Sequence, residues 1–229
     1  MATKLEILNS ETHRAVRMNA QAGEHPIFVG IVLSEFAAAA AACPIFFSKH
    51  SETGHFYVGA MFGFRPGELL VEGAQAGKAL FRPLELQRQG FFITDEDIAI
   101  DVEHPRFAEG ASIALFDDQR QPSDALRLVQ SALGQLKAGA EATSAFIDEL
   151  IGLKLIEPID VSLQFDDGEK LQLNGLYTVS RDGLNELGDA QLVGLFRKGY
   201  LQAALCITLS LNQVGALAHR RNQLLTGPA

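Results

Sequence analysis

The sequence contains no tryptophan and only two cysteines, Cys43 and Cys206, in 229 residues. These cysteines are far apart and form no C-x-x-C pair, so the sequence offers no zinc-binding spacing. The first fourteen residues lack the apolar core of a signal peptide. We therefore expect a cytoplasmic protein whose two thiols are reduced.

Basic residues are also few, since 19 Lys and Arg face 28 Asp and Glu, which gives a formal net charge of −9. An acidic surface repels phosphate, so we expect neither a nucleic-acid partner nor docking on anionic lipid. Two apolar stretches, 27–47 and 200–218, are long enough to be considered as membrane spans. The first contains Glu35 and the second contains several amide and hydroxyl side chains, so we expect no membrane insertion.

What is present is an ordinary globular composition, with 47% hydrophobic and 21% charged residues. The first half contains short apolar runs that predict strands at 56–64, 68–71, 91–93, 98–102 and 113–116. Apolar residues at helical spacing predict helices over 122–139, 143–152, 189–199 and 200–218. Gly139 is predicted to end the first of these helices, and Thr143 to cap the second.

A hairpin is predicted near 159–176, where apolar and polar residues alternate on both sides of the Asp167-Gly168 turn. The fold class that follows is α+β, with a mainly antiparallel sheet in the first half packed by helices of the second half. Because no linker divides a strand-rich region (1–120) from a helix-rich one (121–229), we expect one domain over 1–229. The last helix is apolar on two faces, which predicts burial and suggests a homodimer through the C-terminal helical region.

Cys43 stands between six alanines and Pro44. Alanine favours a helix, and proline disfavours a helical conformation at the residue before it, so the helix should end at Cys43. A reactive thiol needs a helix N-terminus or a nearby cation. At the opposite, electronegative end of a helix Cys43 is predicted to be a small structural residue.

Other motifs fail on spacing. The stretch 73–79 (GAQAGKA) has too few residues between its glycines for a phosphate loop and is predicted to be a turn. Ser112 in GASIA precedes an apolar run, whereas a nucleophile elbow lies between a strand and a helix. His50 and His55 match no regular ligand spacing. We therefore predict no metal, no cofactor and no identifiable catalytic residue.

Several segments of the chain form an ordered set of landmarks. They include SETHR (10–14), CPIFF (43–47), VGAMFGFRPGELLVE (58–72), FRPLELQRQGFFI (81–93), IAID (98–101), LNGLYTVSRDGLNEL (173–187) and LFRKGYLQAALCITLSL (195–211). Taken together and in this order, they resemble the SapC-like family of bacterial proteins. The resemblance covers about 13–224. It departs from the family pattern at 77–93, where relatives carry a Trp and an Arg-Tyr-Pro-Phe run.

The resemblance implies a surface-layer or nutrient-uptake locus, with uptake receptors, halogenase-like proteins and cupin-like proteins encoded nearby. Three functions stay open. The first is a non-enzymatic accessory or binding protein for a peptide or small molecule. The second is an enzyme that modifies a peptide or amino acid alongside the halogenase-like neighbour, and the third is a structural subunit of a complex.

Candidate binding residues follow from Glu35, the only charge in a 21-residue apolar stretch. A buried carboxylate needs a partner, solvent or a proton. Basic residues in segments that match the family are nominated as partners, and Asp101 of the IAID segment completes the set. The candidates are His13, Arg14, Glu35, Arg82, Arg88 and Asp101. The alternative is that Glu35 lies exposed at a helix start, where its charge favours the helix dipole.

Overall fold

The computed structural model describes residues 5–20, 26–71 and 81–226. The predicted turn at 73–79 lies outside these residues. The strands, in chain order, are β1 (Leu5–Ile7), β2 (Arg17–Met18), β3 (Phe28–Gly30), β4 (Ile45–Lys49), β5 (Phe56–Met61), β6 (Phe91–Thr94), β7 (Asp97–Asp101), β8 (Ile113–Ala114), β9 (Ile156–Pro158), β10 (Val161–Gln164), β11 (Lys170–Leu173) and β12 (Tyr177–Val179).

The α-helices are α1 (Phe36–Ala42), α2 (Leu84–Gln87), α3 (Asp124–Gly152), α4 (Arg181–Asn185), α5 (Asp189–Arg197), α6 (Tyr200–Ser210) and α7 (Asn212–Thr226). Short 3-10 helices lie at Leu33–Glu35 and Pro105–Phe107. The α+β class is confirmed, with sheets of antiparallel strands and the long helices in the second half.

The chain divides into two compact units, each built from two segments. Unit 1 comprises Met1–His25 and Arg82–Ala138, and unit 2 comprises Pro26–Phe81 and Gly139–Ala229. The boundaries do not coincide with the predicted strand-rich and helix-rich halves. Because neither unit is one continuous stretch of chain, the expectation of a single domain over 1–229 stays a prediction.

Unit 1 contains a three-stranded antiparallel sheet in the order β1-β7-β6 and a small ladder between β2 and β8. Its core places Phe91 and Ile100 of the sheet against Leu126 and Val129 of α3, all of them fully or almost fully buried. The helical spacing of Leu126, Val129 and Leu133 thus gives α3 the apolar stripe that the sequence predicted.

Unit 2 contains a five-stranded antiparallel sheet in the order β3-β5-β4-β12-β9. The last two strands of this order, β12 and the edge strand β9, come from the second half of the chain, so the sheet is completed by strands that the sequence did not predict. Phe46 of β4 is fully buried and packs in a core with Leu176 and Leu217. The predicted hairpin is confirmed: β10 pairs with β11, and Gly168 in the turn has a φ of 84°.

One predicted helix boundary is wrong, because α3 runs unbroken through Gly139 and Thr143. At Gly139 an added Cβ would lie 2.8 Å from the Cβ of Val32, so glycine is required for close packing and not for helix termination. The hydroxyl of Thr143 donates to the Gly139 carbonyl at 2.7 Å and accepts from the backbone N–H of Leu33 at 2.9 Å. Thr143 therefore anchors the Leu33 turn instead of capping a helix.

The strand predicted at 68–71 is absent from the described part of the chain. The carboxylate of Glu68 accepts from the backbone N–H groups of Phe64 and Arg65, at 3.0 and 3.1 Å. This side chain therefore holds the Phe64–Glu68 turn closed.

The predicted helix over 200–218 is divided at Leu211 into α6 and α7. The hydroxyl of Ser210 donates to the Ile207 carbonyl at 2.6 Å and accepts from the N–H of Ile45 at 2.9 Å, and such back-bonding bends helices. Burial on both faces was predicted wrongly, because Leu205 and Leu209 are 45% and 60% exposed. The segment Tyr200–Leu225 has the length and apolarity of a membrane span, with a mean hydropathy of 1.4, but core helices of soluble proteins share this property.

Candidate functional site

A polar cleft of about 520 Å³ lies in unit 2. It is formed by β9, β12, the start of α4 and the junction of α6 and α7. We call it the polar cleft, and its lining is Glu157, Pro158, Ile159, Thr178, Val179, Arg181, Asp182, Leu211 and Asn212.

Sheet register brings the first two polar groups together. Thr178 of β12 is directly opposite Glu157 of β9, and opposite residues of an antiparallel pair point to the same face. The hydroxyl of Ser180 then accepts from the N–H of Gly183 at 3.2 Å, which caps α4 directly after β12. This abrupt turn places Arg181 and Asp182 beside Thr178.

Thr178 is only 5% exposed, and its Oγ1 has no hydrogen-bond partner among the described residues. A buried polar group that lacks a partner destabilises a fold by about 1–3 kcal/mol. Buried hydroxyls are normally bonded to protein or to ordered water. The hydroxyl of Thr178 is therefore a donor in the wall of the cleft that no described residue uses.

Arg181 supplies the positive charge of the cleft. One nitrogen, Nη2, donates to the Thr208 carbonyl at 3.2 Å, which orients the guanidinium. Within 5–20, 26–71 and 81–226 no carboxylate forms a salt bridge with it. Glu157 and Asp182 add two exposed carboxylates to the same lining. A guanidinium that is oriented but not neutralised, with carboxylates nearby, suits a ligand that carries both an anionic and a cationic group.

The sequence-predicted residues lie elsewhere, except that Glu35 shares unit 2 with the cleft. Glu35 is buried, with 7% of its surface exposed, so the expectation of an exposed helix start is wrong. Its Oε2 accepts from the N–H of Val32 at 3.0 Å. This carboxylate stabilises the turn that leads into α1. The pairing of Glu35 with the nominated basic residues, all of which belong to unit 1, stays a prediction.

In unit 1, His13 is buried and holds a turn together. Its Nδ1 lies 3.0 Å from the N–H of Asn9, and its Nε2 lies 3.3 Å from the carboxylate of Glu6. Arg14 is exposed, and its carbonyl accepts from Nη1 of Arg17 at 2.9 Å. The imidazole of His13 is therefore engaged within the turn, while the exposed side chain of Arg14 stays a candidate for binding.

Arg88 also has local partners. It forms a salt bridge with Glu85, donates to the Phe91 carbonyl at 3.1 Å and stacks 5.3 Å from the centre of the Phe92 ring. Its charge and its planar group are both occupied by these contacts. Arg88 therefore links the helix α2, through Glu85, to the start of β6 at Phe91.

Asp101 and Arg82 do approach residues that the sequence analysis missed. Burial lowers the pKa of His104 below its usual value; the charge of Asp101 opposes this shift and the charge of Arg106 adds to it. The guanidinium of Arg82 donates to the carbonyl of Ala20. Arg106, which no sequence rule nominated, is buried and lies close to Arg82.

Cys43 ends α1 in an extended conformation and is fully buried. Its Sγ donates to the Ala39 carbonyl at 3.4 Å, and burial raises the pKa of the thiol to about 12. The thiol is thus protonated at neutral pH, as the structural interpretation of this corner requires. No cluster of three or more His, Cys, Asp or Glu side chains able to hold a metal occurs among the described residues.

The polar cleft could not be read from the sequence, because its polar groups come from β9, β12 and the α6–α7 junction. The one available signal was the polar run TVSRD at 178–182.

Comparison with known proteins supplies the remaining context. Neither the curated proteins nor the solved structures contain a significant match. The SapC family model matches residues 8–217, which is most of the chain. The chain therefore belongs to the SapC family.

Proposed function

We propose that this protein is a non-enzymatic accessory protein that binds a small zwitterionic ligand, an amino acid or the end of a short peptide, in the polar cleft. One observation carries the proposal: the buried, unsatisfied hydroxyl of Thr178 lies in the lining of a 520 Å³ cleft that also contains the guanidinium of Arg181. Small-ligand sites are concave and carry a few convergent polar groups.

The proposed roles follow from charge. The ligand carboxylate bonds to Arg181, since guanidinium matches carboxylate in geometry. The ligand ammonium faces Glu157 and Asp182, and a ligand oxygen accepts from the hydroxyl of Thr178. In the cell we place this binding step in the cytoplasm of a bacterium, in the surface-layer or nutrient-uptake setting that the family resemblance implies.

Titration calorimetry with free Gly-Gly tests the proposal, with N-acetyl-Gly-Gly amide as the uncharged probe. We expect saturable binding of the free dipeptide and at least tenfold weaker binding of the blocked one. Arg181→Gln should weaken binding at least tenfold, while Arg197→Gln, an exposed arginine of the same unit, should bind as the wild type does. Equal heats for both peptides, or an unchanged affinity in Arg181→Gln, would refute the proposal.

Mass spectrometry of the dipeptide after prolonged incubation with the protein distinguishes a binding protein from an enzyme that modifies peptides. A binding protein returns the peptide with an unchanged mass. A shifted mass would replace the proposed function with that of a peptide-modifying enzyme.

A further inference from the structure

Arg106 is a buried cation whose contacts are all to uncharged groups. It is 3% exposed and lies in the 3-10 turn that follows β7. Its Nε donates to the Asn19 carbonyl at 3.2 Å, and its Nη1 donates to the carbonyls of Gln87 and Gln89 at 2.6 and 3.0 Å. The guanidinium also lies 5.8 Å from the centre of the Phe91 ring.

These contacts satisfy donors but do not neutralise the charge. Taking a guanidinium out of water without a counter-charge is costly, and proteins normally pair such a group with an anion. Burial, with the nearby charge of Arg82, lowers the pKa of Arg106 to about 10. The group still carries its proton at neutral pH, so the positive charge persists.

Arg82 adds a second charge at the same place. Its guanidinium donates to the carbonyl of Ala20, the neighbour of the carbonyl that holds Arg106. Two consecutive carbonyls thus hold two guanidinium groups near one another, although like charges repel. In the part of the chain that the structure describes, neither arginine forms a salt bridge with a carboxylate, and Nη2 of Arg106 makes no hydrogen bond.

We propose that Arg82 and Arg106 form a binding site for a small oxyanion in unit 1, distinct from the polar cleft. Two guanidinium groups offer the planar, paired donors that phosphate and carboxylate oxygens accept. Arg106 supplies the fixed donor, since three carbonyls hold it. Arg82 supplies the solvent-facing donor through which the anion enters.

Thermal unfolding of the full chain tests the site, with inorganic phosphate and acetate titrated separately at constant ionic strength set by sodium chloride. We expect a saturable rise in the unfolding temperature with at least one of them. The larger effect identifies the source: a phosphate ligand if phosphate dominates, and a small carboxylic acid if acetate dominates.

Variants then locate the effect. Arg82→Gln, at an exposed position, should weaken anion binding at least tenfold. Arg127→Gln removes an arginine of unit 1 whose side chain is 60% exposed and should change nothing. Arg106→Lys keeps the positive charge but lacks the paired N–H donors of the guanidinium, so it should also weaken anion binding. If the Arg106 variant fails to fold, the Arg82 variant still tests the site.

The proposal is overturned if chloride raises the unfolding temperature as much as phosphate and acetate do. It is also overturned if Arg82→Gln responds to the oxyanions as the wild type does. Either result would indicate an adventitious ion only. A negative result for the oxyanion site can be distinguished from a negative result for ligand binding in the polar cleft. Arg181→Gln should leave the oxyanion response unchanged, and Arg82→Gln should leave dipeptide binding unchanged.

Discussion

Nη2 of Arg221 lies 2.6 Å from Oε2 of Glu169, which joins α7 to the turn of the β10–β11 hairpin. Nε of the same arginine lies 2.9 Å from Glu68, and its guanidinium stacks 3.9 Å above the Phe165 ring. Arg65 also pairs with Glu169. A side chain that is almost fully buried thus connects three segments of unit 2 that are distant in sequence.

This network should make stability depend on pH. Hydrogen bonding from Arg221, opposed by burial and helped by Arg65, lowers the pKa of Glu169 from its usual 4.5. The folded state therefore holds this proton less tightly than the unfolded state does. The stabilisation is fully present above about pH 4.5 and is lost as pH falls through the lower, folded pKa.

Urea unfolding at a series of pH values measures this effect. We expect Glu169→Gln to be less stable than the wild type at pH 7 and to show a shallower decline below pH 4.5. Lys170→Gln, at the next position of the hairpin, serves as the control. An identical decline in Glu169→Gln and the wild type would show that other carboxylates cause it.

Thr178→Val should separate stability from binding. Valine has nearly the shape of threonine but lacks the hydroxyl that has no partner in the structure. We expect the ligand-free variant to be as stable as the wild type or more stable by about 1 kcal/mol, because an unsatisfied group is removed. Affinity for Gly-Gly should fall. A loss of stability above about 1 kcal/mol would mean that the hydroxyl is used in folding.

Cys43→Ala and Cys43→Ser should leave ligand binding intact and lower the free energy of unfolding by less than about 2 kcal/mol, since either small residue fits the corner. Alkylation of the folded protein at neutral pH provides an independent check. Because burial raises the pKa of this thiol to about 12, the reaction should be slow. Rapid, selective alkylation of Cys43 with loss of binding would contradict the structural role.

Glu35→Ala should destabilise the protein by about 1 kcal/mol, the typical loss when a helix-start acceptor is removed. The reason is that the N–H of Val32 loses its carboxylate partner. Ser34→Ala changes the exposed neighbour in the same turn and should cost less than about 0.5 kcal/mol. Thermal unfolding of both variants compares them, and equal stabilities would remove Glu35 from its anchoring role.

The homodimer stays a prediction, and α6 provides its test. Leu205 and Leu209 lie one helical turn apart and are 45% and 60% exposed. If they form the contact between two copies, Leu209→Glu should yield a monomer in light scattering, while Leu128→Glu, at another exposed leucine, should not. A wild-type mass that remains monomeric on concentration would exclude the dimer.

The predictions were correct where residues adjacent in sequence determine the backbone conformation. The hairpin follows from the Asp167-Gly168 pair, because glycine accepts the positive φ of that turn. The corner at Cys43 follows from the proline after it. The class of fold follows from alternation and helical spacing, which report burial directly.

Predictions failed where a distant residue decides the conformation. Gly139 was predicted to end a helix. Glycine is needed there because Val32, over a hundred residues earlier in the chain, leaves no room for a side chain. Glu68 was predicted to begin a strand, but its carboxylate pairs with Arg221, more than 150 residues later in the chain. The polar cleft and the Arg82–Arg106 site depend on side chains that converge from separate segments, and neither periodicity nor spacing reports such convergence.

The order of the five-stranded sheet has a consequence for solubility. Among the described strands, its two outer members are β3 and β9, each three residues long, and β9 ends in Pro158. An unpaired strand edge is a template for aggregation, and short edges or a proline without an N–H donor interrupt it. The two edges of this sheet therefore present little backbone to which a strand of another chain can add.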